Sequence, residues 1–233
     1  MRRQAGITLL EVLIAVTLLS VLSVGMMMSM RIGLSALSRT DSRLMDNRRI
    51  AGAQRILEQE LQGIIPVVSP CGDGGAMVSL FSGQSNGLTT VTGFSLQGAW
   101  RGRPQVIQLF TIPDDKGGIR LVANETPYTG PQGAGKVCTG VSGMVANFAT
   151  PNSGPNTFVL ADHLREVRFQ YLHMAEKIED AGLWTNDWKD AGWPFGIRAI
   201  IVPMEATQAR LQPISVTVPI YLNREAGVKY AGE

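Results

Sequence analysis

Ile7-Thr8-Leu9-Leu10-Glu11 opens an apolar run that reaches Met30, directly behind the short basic start Met1-Arg2-Arg3-Gln4-Ala5-Gly6. Glu11 is the only charged residue between Ile7 and Met30. At about 1.5 Å of rise per residue, a helix over this run covers roughly 36 Å, enough for a hydrocarbon core of about 30 Å. A carboxylate inside that core costs on the order of 2.5–3.5 kcal/mol even on lenient insertion scales, so Glu11 needs a partner. A cleaved secretory signal would have an apolar stretch of about 7–15 residues followed by a small-residue cleavage site. Here the run is longer, and the small residue, Gly6, precedes it. Cleavage after Gly6 would leave the whole helix on the mature chain and place a new amine, that of Ile7, one helical turn from Glu11.

Outward from this run, the helix is predicted to continue. No Pro occurs from 31 to 63, and Ile50, Ala53, Leu57, Leu61 and Ile64 recur at steps of three and four, which lays an apolar stripe along one face. Arg39, Asp41, Arg43, Asp46, Arg48, Arg49, Arg55, Glu58 and Glu60 are assigned to a solvated or subunit-facing surface. Gly63 and Pro66 supply the stop. Gly25, inside the apolar half, reads as a close-packing point for another helix or as a point of flexibility.

From Pro66 the composition shifts to Gly, Ser, Thr and Pro, with short apolar runs at Met77–Phe81, Leu88–Phe94, Val106–Ile112, Ile119–Ala123, Val167–Leu172, Ile197–Val202 and Ile214–Leu222. Val167/Phe169/Tyr171 and Ile214/Val216/Val218/Ile220/Leu222 alternate with the period of a strand. The runs predict antiparallel strands in two small sheets packed on the upper helix. Pro203 and Pro219 place their strands at an edge or a bulge. Thr126 to Asn156, rich in Gly, Pro, Ser and Asn, reads as loops weakly held by a core. The fold class is therefore α+β. Its parts are a leader at 1–6, a transmembrane segment at 7–30, an amphipathic continuation at 31–65 and a β-rich domain at 66–233.

The chain has 233 residues and a net charge of +2, too slight to imply a nucleic-acid partner. Arg2 and Arg3 place the start on the cytoplasmic side and the rest outside. Cys71 and Cys138, the only cysteines, have no metal-type spacing; in an oxidising compartment they either pair or stay as two buried thiols. Gly130-Pro131-Gln132-Gly133-Ala134-Gly135-Lys136 has the spacing of a phosphate loop, but Val137 stands where the hydroxyl for Mg²⁺ is required. His163 and His173 have no second ligand or nucleophile at a recognisable spacing, so they read as solvated or hydrogen-bonded. The acids Asp73, Asp114, Asp115, Glu179, Asp180, Asp187 and Asp190 do not follow the spacing of a strong calcium loop. Trp184, Trp188 and Trp193 read either as one end of the sheet core or as exposed aromatics for sugars or a partner. No catalytic residue, cofactor, metal site or small-molecule substrate is expected.

The leader resembles that of type IV prepilins, carried by Gly6, Ile7, Thr8-Leu9-Leu10, Glu11 and the apolar positions Val12 to Met30, with Ile7 where Phe is usual. The resemblance implies cleavage after Gly6 by a prepilin peptidase, N-methylation of Ile7, and pairing of Glu11 with the Ile7 amine of a neighbouring subunit. It also implies a type IV pilin-like fold. The Trp-rich stretch ending in Trp193-Pro194-Phe195-Gly196-Ile197-Arg198, with Trp193 where Leu is usual, resembles the minor pseudopilin J family of type II secretion, as does Leu57-Glu58-Gln59-Glu60-Leu61. That likeness implies a non-enzymatic subunit of the pseudopilus tip, priming assembly for export of folded proteins across the outer membrane. Its partners would be pseudopilins I and K, with H and G as further neighbours, and inner-membrane lipid, its C-terminal domain being periplasmic. The alternatives are a minor pilin of a type IV pilus and, from another class, a membrane-tethered periplasmic binding protein or enzyme.

Overall fold

The computed structural model describes residues 8–71, 75–98, 100–115, 117–134, 137–155, 157–174, 182–204 and 213–220. Helix α1 runs unbroken from Leu9 to Gln62. The chain divides into two compact units, 1–47 and 48–233.

In the first unit every residue from Thr8 to Ser38 is exposed. Leu9–Ser38 is long and apolar enough to cross a membrane. Three of its hydroxyls are returned to the helix itself: Thr17, Ser20 and Ser23 donate to the carbonyls of Ile14, Val16 and Leu19, each at 2.8 Å. No polar side-chain proton of these three is left facing an apolar medium, as a lipid-exposed helix requires.

In the second unit, 48–62 of α1 bury the predicted stripe. Ala53, Leu57 and Leu61 are at most 2% exposed. The strands are β1 (Val68–Cys71), β2 (Ala76–Ser79), β3 (Ser82–Gln84), β4 (Gly87–Ser95), β5 (Trp100–Pro113), β6 (Ile119–Pro127), β7 (Cys138–Ser142), β8 (Val145–Phe148), β9 (Phe158–Leu172), β10 (Trp184–Thr185), β11 (Gly196–Pro203) and β12 (Ile214–Pro219). A single turn, α2 (Pro131–Ala134), precedes β7.

Instead of two small sheets, the described residues form one eight-stranded antiparallel sheet, in the order β12-β11-β9-β6-β5-β4-β3 with β10 beside β9, and two hairpins, β1-β2 and β7-β8. The reason lies in β5 and β9, 14 and 15 residues long. Each pairs along both edges, and β9 joins β6 to β11. In the sequence, Asp162, His163, Arg165 and Glu166 hide the first half of β9. They lie at irregular register, where β9 advances three positions, Ala161 to Leu164, against two of β6 and where Pro203 meets a further shift. His163 takes φ +52 there. Pro203 thus sits at a bulge, and Pro219 on the edge strand β12.

The sheet curls so that β3 returns to β9. The Phe169 amide donates to the Ser85 carbonyl at 2.8 Å, and the Tyr171 hydroxyl bonds the carbonyls of Gln84 (2.9 Å) and Gly87 (3.0 Å). A Cβ on Gly83 would lie 2.5 Å from the Tyr171 ring, so only glycine permits this approach. Leu57, Leu61, Leu88, Leu109, Leu121, Phe169, Tyr171 and Ile197 belong to the core on the helix side. Val91 and Val106, on the opposite pleat, join Val67, Cys71, Val78, Leu80, Cys138 and Ala146 in a second core. The 126–156 region is thus not merely loop, because β7 and β8 furnish part of that second core.

Candidate functional site

Gly6 and Ile7 lie outside the described residues. Thr8 caps α1: the Glu11 amide bonds the Thr8 carbonyl at 3.0 Å and approaches its hydroxyl at 3.4 Å. Thr8-Leu9-Leu10-Glu11 therefore has the spacing of a helix-capping box, with the acid in the first turn where the positive end of the helix dipole favours it. This signal was present in the sequence and gives Glu11 a local stabilisation within its own helix. The Glu11 side chain is exposed. Around Gly25, nothing lies within 4 Å of where a Cβ would stand.

Residues 1–27 match the family model described as the prokaryotic N-terminal methylation motif. The chain carries the prepilin methylation signal of type IV pilins and pseudopilins, followed by an apolar helix that fits a membrane anchor. No curated protein matches the chain.

Behind the prepilin signal, the second unit brings Cys71 and Cys138 together as a disulfide, with Cα atoms 5.4 Å apart. The bond ties β1 to β7 and is almost wholly buried, Cys71 at 2% and Cys138 at 5% exposure. Closing a loop of 67 residues stabilises by about 4 kcal/mol on the chain-entropy model.

The histidines are hydrogen-bonded. His163 meets the buried carboxylate of Asp114 through its amide (3.0 Å) and Nδ1 (3.1 Å), while Arg120 bonds the other Asp114 oxygen at 2.7 Å and Asp115 at 3.0 Å. A guanidinium answers the two acids, and the network fastens the β5–β6 turn to the bulge of β9. His173, hydrogen-bonded as the sequence reading expected, lies between Asp190 (Nδ1, 2.8 Å) and Thr185 (Nε2, 2.8 Å), its ring against Trp188. That order of groups is the one found in hydrolytic triads. The Thr185 hydroxyl, however, donates to the Asp187 carbonyl at 3.0 Å, which directs its proton away from the imidazole. The cluster braces the Trp-rich loop instead. Trp188 is 5% exposed and packs edge-on against Phe81, and Trp184 lies under the Arg198 guanidinium.

Pro131–Ala134 forms a helical turn, while Gly135 and Lys136 lie outside the described residues, as do Asp73, Glu179 and Asp180. Among the described residues no three His, Cys, Asp or Glu side chains gather as metal ligands.

One polar residue departs from its expected place. Glu60, assigned to a solvated surface, is 1% exposed. The α1 stripe is wide enough at its last turn to include position 60 beside Leu57 and Leu61, and Thr92 of β4 lies against this turn. Burial raises its carboxyl to about 8, the Thr92 side chain pulling the other way and Glu125 adding to the rise. The Thr92 hydroxyl nevertheless donates to the Glu60 main-chain carbonyl at 3.2 Å, and neither carboxyl oxygen has a hydrogen-bond partner among the described residues.

Proposed function

We propose that the chain is a minor pseudopilin of a type II secretion system, a non-enzymatic subunit of the pseudopilus tip that primes assembly for export of folded proteins. The observation that carries this reading is the prepilin methylation signal set on an exposed apolar helix whose one charge before Arg31 is Glu11. Removal of residues 1–6 gives Ile7 a free amine, methylated in the mature subunit. Glu11 is costly alone in lipid and is answered when a neighbour's amine arrives in that low-dielectric medium. The buried Cys71–Cys138 bond supports an oxidising compartment for the second unit, hence an inner-membrane anchor with a periplasmic domain. The Trp-rich loop and the Leu57–Leu61 helix end support member J, with pseudopilins I and K as partners and H and G beyond them.

Mass spectrometry of the mature amino terminus tests the class. N-methylated Ile7 is expected, and a chain beginning at Met1 would sink the reading. Co-purification from membranes then separates the members: capture of pseudopilins I and K supports J, whereas capture of type IV pilus subunits instead makes the chain a minor pilin.

A further inference from the structure

Glu60 belongs to a buried polar cluster that also joins α1 to the sheet. Thr90 of β4, 1% exposed, has a hydroxyl as unpartnered as the Glu60 carboxyl. Thr90 and Thr92 share the helix-facing pleat of β4. Thr90 pairs with Ile107 of β5, which pairs with Glu125 of β6, so Glu125 stands on the same face two strands away. Its carboxylate is committed to the 95–97 turn, accepting from the amides of Leu96 and Gln97 (3.0 Å for Gln97) and from the Ser95 hydroxyl at 3.4 Å.

The hydrogen-bonded joint between the helix end and β4 runs beside this cluster and through Thr92. Gly93 donates to the Gly63 carbonyl at 2.7 Å, Ile65 to Val91 at 2.9 Å, and Ile64 bridges Thr92. A Cβ on Gly63 would come within 2.8 Å of the Thr92 hydroxyl, so helix end and strand touch directly.

We propose that Glu60, with Thr90, Thr92 and Glu125, forms a proton-operated lock between the end of α1 and strands β4–β6, closed while the Glu60 carboxyl keeps its proton and loosening as it ionises. Protonated, the side chain brings no charge into the core and gives the cluster a donor. Ionised, it places a second negative charge beside Glu125 and at the negative end of the α1 dipole. Of the groups facing it, Glu125 is an anion and Thr92 is neutral. On its own helix Glu58 is held by Gln54 at 3.0 Å, and Arg55 is exposed. No ion pair reaches Glu60 among the described residues.

The sign follows from linkage. In the closed state the carboxyl titrates near 8 against an ordinary 4.5. The lock is therefore at full strength below about pH 4.5, weakens as pH rises and levels off above about 8. Between those limits the opening constant grows by up to about tenfold per pH unit.

The experiment uses the full-length chain in lipid nanodiscs and reads hydrogen exchange over 61–66 and 91–98 from pH 5 to 9, corrected for intrinsic rates. Opening should rise at least tenfold between pH 5 and 8 in the wild type and stay flat in Glu60→Gln. A flat wild type, or a slope that persists in Glu60→Gln, overturns the proposal. Should Glu60→Gln not fold, infrared spectra in a Glu11→Gln background should show a protonated-carboxyl band at pH 7 that disappears above pH 9; its absence at pH 7 overturns the lock. Slowing of the wild-type exchange by added Ca²⁺, with no effect on Glu60→Gln, makes the cluster a cation site and equally overturns it. None of these readouts depends on whether the chain joins a pseudopilus.

Discussion

Helix α1 carries two acids in opposite surroundings, Glu11 in the segment whose residues are all exposed and Glu60 in the segment whose stripe is sealed against a sheet. Neither has an ion-pair partner among the described residues. Glu11 sits where the helix dipole favours a negative charge, on a surface fit for lipid, where the proposed assembly would bring its partner from another molecule. Glu60 sits at the other dipole end among groups of its own chain, where the inexpensive remedy is a proton. Two residues of one type on one helix thus have different chemistry because what covers them differs.

The sharpest way to break this contrast is Glu11→Leu. The variant should insert into membranes as well as or better than the wild type, yet be recovered in cross-linked or sheared filaments at less than about a tenth of its level, since the paired charge is worth at least about 1.4 kcal/mol in a low-dielectric medium. Wild-type recovery would remove the intermolecular role. Next in size, Cys71→Ser should lower unfolding free energy by about 4 kcal/mol in denaturant titrations, while the prepilin signal is still processed. Glu60→Gln should be close to wild type in stability at pH 5 and pull ahead by roughly 1 kcal/mol per pH unit toward pH 8, read from thermal melts across that range. Equal slopes in the two proteins would mean that Glu60 is solvated after all. The smallest effect is expected of Thr8→Ala, a loss of about 0.5–1 kcal/mol of helix-start stability seen as faster exchange near Glu11. If Thr8→Ala impairs filament entry as severely as Glu11→Leu, the acid acts through the cap rather than through a neighbour.

Much of the architecture was legible along the chain. An apolar run with a single charge, a stripe at steps of three and four, and seven short apolar runs located α1, β2, β4, β5, β6, β9, β11 and β12 at least in part. Gly63 was expected to help stop the helix, and it lies just past Gln62; the close approach of Thr92 is what requires a residue without a Cβ there. The first half of β9 was missed because Asp162, His163, Arg165 and Glu166 break the apolar alternation, and the sheet was therefore divided in two. β7 and β8 were missed because a glycine-rich stretch needs the disulfide and the second core to hold it. The Asp190–His173–Thr185 contact closes across residues 12 and 17 positions apart, and nothing in that spacing announces it.

The sequence by itself determined the membrane-length helix, the lone acid within it and the processing signal ahead of it, because hydropathy and local motif are properties of consecutive residues. Only the tertiary structure decided that Glu60 is buried, that Cys71 meets Cys138 and that one curled sheet replaces two small ones. Burial and pairing depend on which distant strands come to lie over a residue, and those neighbours are chosen by the packing of the whole unit.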